Sequence, residues 1–369
     1  MSYSRRSFVA AAMALPVSME VFAQDISGAT VLIPGTNTVR AERDRWAATV
    51  NVKDFGAVGD GIHDDSSAIA AAIAHCAANY TELFFPPGVY AHGSTLNFAV
   101  TGLRVDFGGA LLKHTGAGCA VSIDSGPDSD DGKVYNIIFR NLRIQGNPAT
   151  TDGLLLRGAH HLLLDSVKVH DVSQAAIRCQ WVVGAQINSF VCSVNESPFA
   201  VQPAYGIVLD QRGEGYYCTN VTCISPAVEK VSASGIFLKR ASHCNFIGGT
   251  SEGNARGIDD ADQRNFGNVF QSMWFEENSI SDADLYGSGY LFSNCYLGSS
   301  GARDPNVNCI FARRMQFTGG WIRSINLQST SSGTILSAVS ISNYPGLGII
   351  GPGTRSLHDV SMVSSPDAA

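Results

Sequence analysis

One short phrase recurs five times between residues 153 and 261, and it constrains the fold more than any other feature of the chain. The phrase is a small residue, an apolar residue, any residue, a mostly apolar residue and a polar residue. Its copies are Gly153-Leu154-Leu155-Leu156-Arg157, Ala176-Ile177-Arg178-Cys179-Gln180, Gly206-Ile207-Val208-Leu209-Asp210, Gly235-Ile236-Phe237-Leu238-Lys239 and Gly257-Ile258-Asp259-Asp260-Ala261. They begin 23, 30, 29 and 22 residues apart, which is typical of stacked supersecondary units. Each copy alternates with the period of a β-strand.

The alternation predicts which side chains face the interior, because successive strand residues point to opposite faces. The residues expected inside are Leu154, Leu156, Ile177, Cys179, Ile207, Leu209, Ile236 and Leu238. Those expected outside are Leu155, Arg157, Arg178, Gln180, Val208, Asp210, Phe237, Lys239 and Asp259. Since stacked strands lie about 4.8 Å apart, we expect Arg178, Asp210, Lys239 and Asp259 on one solvent-facing surface.

The composition narrows the class of protein. Of the 369 residues, 45% are hydrophobic and 15% are charged, which is typical of a well-packed protein and not of a disordered one. The length allows one large all-β domain or two ordinary ones. A net charge of −7 argues against a general nucleic-acid binder, but a local basic strip can still bind anionic substrates.

The N-terminus has the pattern of an export signal. Arg5 and Arg6 precede an apolar, alanine-rich run from Val9 to Val17, and small or apolar residues precede Gln24. This pattern predicts a signal peptide over residues 1–23, of the twin-arginine type, with the general secretory route as the alternative. Elsewhere no stretch reaches the roughly 18 apolar residues of a membrane span. We therefore expect a periplasmic or secreted protein that does not insert into a membrane.

The nine cysteines have no Cys-x-x-Cys spacing, so they do not predict a metal site. Most are expected to be small buried residues. One disulfide bond remains possible, and the sequence does not identify its pairing.

Residues 51–90 carry the most specific motif. A short strand leads into the glycine-rich turn Gly56–Gly61, and Asp64-Asp65-Ser66-Ser67 precedes a helix. The expected buried face of this helix is Ala68, Ile69, Ala72, Ile73 and Cys76. A strand over Leu83–Phe85, a turn at Pro86-Pro87-Gly88 and a further strand follow.

The combination of Asp54-Phe55-Gly56-Ala57, Gly59-Asp60-Gly61, Asp64-Asp65 and Pro86-Pro87-Gly88-Val89-Tyr90 resembles the N-terminal motif of the pectate-lyase-like superfamily. This superfamily contains polysaccharide lyases, some glycoside hydrolases and phage tailspike depolymerases. The resemblance covers about forty residues and specifies the fold, not the reaction. It implies an all-β chain: a single right-handed parallel β-helix of three sheets with a short N-terminal capping helix and glycan bound along one face.

These observations predict a domain organisation. We expect a signal peptide at 1–23, a lead-in segment at 24–50, the β-helix with its cap at 51–363 and a flexible tail at 364–369.

Three groups of residues are candidates for chemistry, and we expect them within about one turn of the stack. The first is the outward column, with Arg157 and Arg240 beside it. The second is Glu252, Asp259, Asp260 and Asp262. The third is Trp274, Glu276, Glu277, Asp282, Asp284 and Tyr286. Asp260 occupies an inward position, where an unpartnered carboxylate costs several kcal/mol, so we expect a strand bulge or a partner such as Arg256.

Two mechanisms fit these residues. Elimination from a uronate needs a base, cations that neutralise the sugar carboxylate and a proton donor. Lys239 flanked by Arg178 and Arg240 meets this requirement, and a carboxylate of the column would hold Lys239 or a calcium ion. Hydrolysis needs two carboxylates, about 5.5 Å apart for retention or about 6.5–9.5 Å for inversion. The carboxylate candidates are Asp210, Asp259, Asp260 and Glu276. The candidates for stacking against sugar rings are Phe237, Trp274 and Tyr286.

The sequence lacks the Gly-His-Gly of polygalacturonases and the paired Asp-His signature of calcium pectate lyases, so neither substrate is assigned. We predict an exported lyase that cleaves an acidic polysaccharide. The alternatives are a glycoside hydrolase on the same face and a non-catalytic glycan-binding or spike-like module. Calcium is the one cofactor considered, and both a monomer and the homotrimer common among tailspike relatives fit the sequence.

Overall fold

The computed structural model of the chain describes residues 30–32, 39–41, 49–126, 132–193, 200–298, 305–342, 348–353 and 355–363. The predicted signal peptide, most of the lead-in segment and the predicted tail lie outside these residues. The chain divides into two compact units, residues 1–49 and 50–369. In the first unit, Thr30–Leu32 and Val39–Ala41 pair as an antiparallel hairpin. The domain boundaries given above stay predictions.

The second unit is the predicted right-handed parallel β-helix. Each turn of the chain adds one strand to sheet 1, then one to sheet 2 and one to sheet 3. The strands of sheet 1 are Leu96–Asn97, Val121–Asp124, Asp152–Arg157, Ala175–Gln180, Tyr205–Gly213, Ser234–Leu238, Arg256–Asp260, Ser281–Leu285, Val307–Cys309, Ser324–Leu327 and Gly348–Ile350.

Sheets 2 and 3 share three bent strands, which are Ile138–Gln145, Leu163–His170 and Gln186–Cys192. The other strands of sheet 2 are Thr49–Asn51, Glu82–Phe84, Arg104–Asp106, Thr222–Ile224, Asn245–Ile247, Val269–Gln271, Leu291–Ser293, Gln316–Thr318, Thr334–Ser337 and Arg355–His358. Those of sheet 3 are Asp60–Asp64, Val89–His92, Leu111–His114, Ala227–Glu229, Thr250–Glu252, Trp274–Glu276, Tyr296–Leu297, Trp321–Ile322, Ser340–Ser342 and Ser361–Val363. Short strands between sheets 1 and 2 are Val134–Tyr135, Ala159–His160, Tyr216–Thr219 and Ala241–Ser242.

The five copies of the repeat lie in register on neighbouring strands of sheet 1. The paired apolar residues run Leu154, Ile177, Ile207, Ile236 and Ile258. All eight residues predicted to face the interior are 0% exposed, which confirms the predicted inward face. Two residues predicted outside, Val208 and Asp210, point outward but are buried, at 0% and 5% exposure, so the prediction of solvent exposure is wrong for both.

The small residue at the start of each copy is required by the packing between sheets. A Cβ atom on Gly206 would lie 2.3 Å from Cγ1 of Val228 and 2.6 Å from the carbonyl oxygen of Gly235. Gly153 and Gly257 meet side chains of sheet 3 in the same way, through Val169 and Phe275. The glycine column therefore allows the edges of sheets 1 and 3 to meet inside the helix.

The corners between sheets use residues in the left-handed region, which turns the chain within a single residue. At the corner between sheets 2 and 3 these are Asn141, Ser166, Ser189, Ser225, Gly248, Ser272, Asn294, Gly319, Ala338 and Asp359. Most are not glycine, and asparagine tolerates this conformation better than most residues. These corners keep successive turns of the chain in step.

The helix Ser66–Asn79 covers the N-terminal end of the stack, as predicted, with Ile69, Ala72, Ile73 and Cys76 on its buried face. Ala68 is only partly buried. A 3₁₀ helix, Val52–Phe55, precedes it. Asp65 does not cap the helix with its side chain; its carboxylate instead accepts bonds from the amides of Val58 and Gly59, at 2.7 and 3.1 Å. Within the described residues, no helix has the length and apolar character needed to cross a membrane.

All nine cysteines are free thiols, and every one except Cys119 is buried. Burial raises the pKa of each, for example that of Cys192 to about 12. The thiols therefore act as small core residues, and the disulfide bond considered from the sequence does not form.

Replacing Gly206 by alanine is expected to destabilise the fold by about 1–3 kcal/mol, because the added methyl group overpacks the contact with Val228. Gly213 ends the same strand, and its nearest neighbour would be 3.7 Å from an added Cβ. Gly213→Ala is the matched control and should change stability by less than about 0.5 kcal/mol. Urea unfolding of both variants tests this; equal midpoints would contradict it.

A buried histidine pair is expected to make the fold acid-sensitive. His92 and His114 are in register on sheet 3, at 0% and 1% exposure, with ring centroids 5.0 Å apart. Burial lowers the pKa of His92 from 6.5 to about 4. Below about pH 6.5 the unfolded chain therefore binds a proton that the folded chain refuses, so stability is lost as the pH falls from 6.5 towards 4.

For His92 alone, the loss between pH 7 and pH 5 is expected to be about 2 kcal/mol. His92→Phe keeps an aromatic ring against His114 and removes the titrating group. Denaturant unfolding at both pH values should show a smaller loss for His92→Phe than for the wild-type chain. An identical loss in both proteins would show that His92 does not contribute.

Candidate functional site

The outer face of sheet 1 carries two parallel columns of side chains. The first outward column is Leu155, Arg178, Val208, Phe237, Asp259, Asp284, Asn308 and Asn326. The second is Asp124, Arg157, Gln180 and Asp210, and Lys239, which directly follows strand Ser234–Leu238, continues it. The single column expected from the sequence is thus two: Arg178 and Asp259 belong to the first, and Asp210 and Lys239 to the second. All four share one face of one sheet.

Asp259 and Asp284 are in-register neighbours on adjacent strands, which places them about 4.8 Å apart along the stack. Asp284 is ion-paired: its Oδ2 lies 2.7 Å from Nε of Arg256, and its Oδ1 accepts a 2.8 Å bond from the side-chain amide of Asn308. Asp259 accepts a 3.3 Å bond from the hydroxyl of Ser234. The two carboxylates therefore have different partners although their backbone positions are equivalent.

The surroundings of Asp259 favour its protonated form. Burial raises its pKa, the charge of Arg256 opposes this rise, and the neighbouring carboxylate of Asp284 adds to it; the net direction is upward. A carboxyl group with a raised pKa beside an ion-paired carboxylate is the arrangement that supports acid–base catalysis.

Two arginines predicted to bind substrate are held by carboxylates of the preceding strand of sheet 1. Arg178 makes two 3.0 Å bonds to the carboxylate of Asp152, from Nε and Nη2. Arg157 bonds Asp124 in the same two-pronged way. Such paired bonds fix the orientation of the guanidinium groups. Both arginines therefore form a structural part of the outer face of sheet 1.

The three cations predicted to act together, Lys239, Arg178 and Arg240, have separate partners. Nζ of Lys239 lies 3.0 Å from Asp210, and the Lys239 side chain is 51% exposed. Arg240 lies over the ring of Tyr217, 4.5 Å from its centroid, and donates to the carbonyl of Arg264. Each cation thus has its own partner, and the ammonium group of Lys239 is paired with a carboxylate.

Aromatic side chains lie on both sides of the carboxylate pair. Phe237 precedes Asp259 in the first column and stacks on Tyr205, with centroids 5.0 Å apart and planes inclined by 15°. Tyr286 follows Asp284 on the chain, and burial and the charges of Asp284 and Asp259 raise its pKa. Phe237 and Tyr286 are half-buried, so part of each ring is accessible beside the carboxylates.

Asp260 points into the interior and is 0% exposed. Its carboxylate accepts bonds from the side-chain amide of Asn265 (2.6 Å) and from the backbone amides of Tyr286 (2.9 Å) and Gly287 (2.6 Å). The expected partner, Arg256, is instead bonded to Asp284. The carboxylate of Asp260 thus links strand Arg256–Asp260 to the end of strand Ser281–Leu285. It lies on the interior side of sheet 1, opposite the two outward columns.

Glu276 and Trp274 lie on sheet 3, not on the face of sheet 1. The prediction that Glu276 shares one face with Asp210 and Asp259 is therefore wrong. The corner at residues 253–255 separates strand Thr250–Glu252 of sheet 3 from strand Arg256–Asp260 of sheet 1. A corner separates sheet 3 from sheet 1 in the following turns of the β-helix as well. Trp274 donates a 2.7 Å bond from Nε1 to Glu276.

Asp284 was named among the candidates for chemistry, but not in the outward column beside Asp259, and Asp152, Tyr205 and Asn308 were not predicted. Asp284 belongs to a sixth copy of the phrase, Asp282-Ala283-Asp284-Leu285-Tyr286, which begins 25 residues after the fifth and has aspartate at its small position. That spacing falls within the range of the other copies, so extending the repeat would have found it. Within the described ranges, no group of three or more His, Cys, Asp or Glu side chains is arranged to hold a metal ion, and the calcium hypothesis gains no support.

Comparison with solved structures supports the fold. The chain is 15% identical to the A-module of the mannuronan C-5 epimerase AlgE6 of Azotobacter vinelandii, with a TM-score of 0.54 over 86% of this chain and 99% of that chain. PfbA, a surface adhesin of Streptococcus pneumoniae, is 12% identical, with a TM-score of 0.52 over 86% and 90%. ORF18 of Geobacillus virus E2 is 15% identical, with a TM-score of 0.53, and the chain spans 86% of its own length and 62% of ORF18.

No curated protein matches the chain. A sequence model described as "Rhamnogalacturonase A/epimerase, pectate lyase-like" matches residues 49–296, a range that contains the capping helix, the second outward column, the first outward column as far as Asp284, and the carboxylate pair. The chain therefore belongs to the rhamnogalacturonase A/epimerase, pectate lyase-like family.

Proposed function

We propose that this protein cleaves glycosidic bonds of a polysaccharide by acid–base catalysis, with Asp259 as the acid and Asp284 as the base or nucleophile. The observation that carries the proposal is the in-register pairing of these two carboxyl groups with different partners. Glycoside hydrolysis requires this division of roles between two carboxyl groups.

In this mechanism the protonated carboxyl group of Asp259 donates its proton to the leaving glycosidic oxygen. Asp284, held by Arg256 and Asn308, activates water or attacks the anomeric carbon. Because both are on strands of a packed sheet, their separation is set by backbone hydrogen bonds and not by a mobile loop. General acid–base catalysis by positioned groups contributes about 10²–10⁴-fold to the rate.

The repeat itself favours a polymeric substrate. Equivalent side chains recur about every 4.8 Å along the columns, so an extended chain can meet similar groups on successive turns. Phe237 and Tyr205 present apolar surface on one side of the carboxylate pair, and Asn308 and Asn326 present amides on the other. The family description and the mannuronan epimerase likeness support a sugar polymer, and the predicted signal peptide supports action outside the cytoplasm.

Elimination from a uronate is the second candidate. It is favoured by Lys239, whose side chain is half-exposed on the same face as Asp259. The two reactions give different products, because elimination leaves an unsaturated sugar that absorbs ultraviolet light and hydrolysis does not.

Asp259→Asn and Asp284→Asn are each expected to lower kcat/KM by about 10²–10⁴-fold on whichever polysaccharide in a broad panel the wild-type protein degrades. Asp165→Asn is the matched control, because Asp165 lies on the outer face of sheet 2, and it should keep wild-type activity. Reducing-end release measures the reaction, and thermal melts confirm that the variants fold.

The same digests separate the two candidates. Hydrolysis predicts new reducing ends without ultraviolet absorbance. Absorbing products whose formation is lost in Lys239→Ala would replace the hydrolase proposal with elimination. Binding without cleavage of any polymer in the panel would refute both and leave a glycan-binding module.

The pH profile tests the role of Asp259 as the acid. A general acid must be protonated, so kcat/KM falls as the pH rises above its pKa. The charge of Arg256 lowers the pKa of Asp259; Arg256→Gln should therefore move the basic limb to higher pH, besides lowering the rate. Arg256→Lys keeps the charge and should leave the limb close to the wild-type position. A basic limb that moves to lower pH in Arg256→Gln would contradict the assignment.

A further inference from the structure

A ladder of aromatic rings runs along the outer face of sheet 3, away from the carboxylate pair. Trp274, Tyr296 and Trp321 are in register on successive strands. Their rings stack nearly parallel, with centroids 4.0 Å apart at 12° and 5.1 Å apart at 17°. Trp321 is 8% exposed and Trp274 is 44% exposed. The ladder is therefore buried at one end and open at the other.

The open end presents the face of an indole ring. The residue in register before Trp274 is Thr250, and before it comes Ala227. Both side chains are short and half-buried, and the hydroxyl group of Thr250 is inaccessible; they form a floor two strand spacings long, about 10 Å. The bond from Nε1 of Trp274 to Glu276 holds the indole in this orientation. The arrangement is a fixed aromatic platform beside a trough.

One side of the trough is a column of carboxylates. Glu229, Glu252 and Glu276 are in register on the same three strands. Burial raises the pKa of Glu252, and so do the charges of Glu229, Glu276 and Glu277, against the opposing charge of Lys230. The column therefore offers hydrogen-bond acceptors for hydroxyl groups and repels a polyanion.

We propose that this trough, floored by Ala227 and Thr250 and bounded by Trp274 and the three glutamates, is a second glycan-binding site that takes an uncharged polysaccharide chain. A sugar ring stacks on the free face of Trp274, and its hydroxyl groups donate to Glu252 and Glu276. The site is separate from the carboxylate pair on sheet 1 and does not depend on the reaction proposed there.

The charge of the trough also decides against a second copy of the chain as its occupant. A two-fold interface would place the glutamate column against itself, and the repulsion between like charges opposes that contact. An uncharged glycan meets the same column with hydroxyl donors and no charge.

The test is native electrophoresis in gels cast with hydroxyethyl cellulose, galactomannan or xyloglucan, and with polygalacturonate as the anionic comparison. All proteins carry Asp259→Asn so that the polymer is not cut during the run. We expect at least one neutral polymer to retard the protein, and Trp274→Ala to weaken that retardation about tenfold or more in apparent affinity, which corresponds to about 1.4 kcal/mol. Trp274→Phe keeps the ring stack and should weaken it less.

Two controls make the result specific. Tyr80 is an aromatic residue, 92% exposed, that directly follows the capping helix, and Tyr80→Ala should leave retardation unchanged. Phe237→Ala removes the apolar surface on sheet 1; retardation lost in Phe237→Ala and kept in Trp274→Ala would overturn the proposal. So would the absence of retardation in all three neutral gels, or a Trp274→Ala protein that sediments as a smaller species than the parent, which would identify this face as a subunit interface. If Trp274→Ala does not fold, Trp274→Phe must still bind more weakly than the parent.

Discussion

The in-register pairing of parallel strands in sheet 1 is the constraint on which the rest of the structure depends. It aligns Ile207, Ile236 and Ile258 inside the helix and, on the opposite face, brings Asp259 beside Asp284. A slip of one residue would exchange the two faces of a strand, moving an aliphatic side chain to solvent and the carboxyl group into the core. The core that stabilises the fold thus also fixes the geometry of the candidate site.

Much of this architecture could be predicted from the sequence, because aligning the copies of the repeat indicates which residues pair on neighbouring strands. The five copies align as expected, and the N-terminal motif identifies the capping helix. The sixth copy was not recognised because aspartate occupies the position that holds a small residue in the other copies. Asp282 is buried there and bonded to the side chains of Asn278 and Asn306. A hydrophobic pattern does not report such a substitution, since polar partners from neighbouring turns replace the apolar contact.

The assignment of partners could not be predicted from alternation alone. Alternation indicates that Arg178 and Lys239 point outward, but the carboxylates that hold them come from other turns and other positions in the strand, Asp152 and Asp210. The same limit explains why Trp274 and Glu276 were expected on the wrong sheet. The length of each corner decides which sheet a strand joins, and alternation alone does not predict it. Asp260 shows a different error. It was expected to take part in catalysis because it breaks the hydrophobic pattern, but its carboxylate accepts hydrogen bonds from backbone amides of the next turn.

The two outer faces differ in how their charges are balanced. On sheet 1, Arg157, Arg178, Lys239 and Arg256 each hold a carboxylate from a neighbouring turn, and Asp259 is the carboxyl group of the first outward column that has no such ion pair. On sheet 3, Glu229, Glu252 and Glu276 follow one another in register on successive strands. Cross-strand ion pairs bring a carboxyl group with a raised pKa close to an ionised one without leaving the surface strongly charged. An acidic column of this kind repels anionic chains, and its oxygens can accept hydrogen bonds from hydroxyl groups.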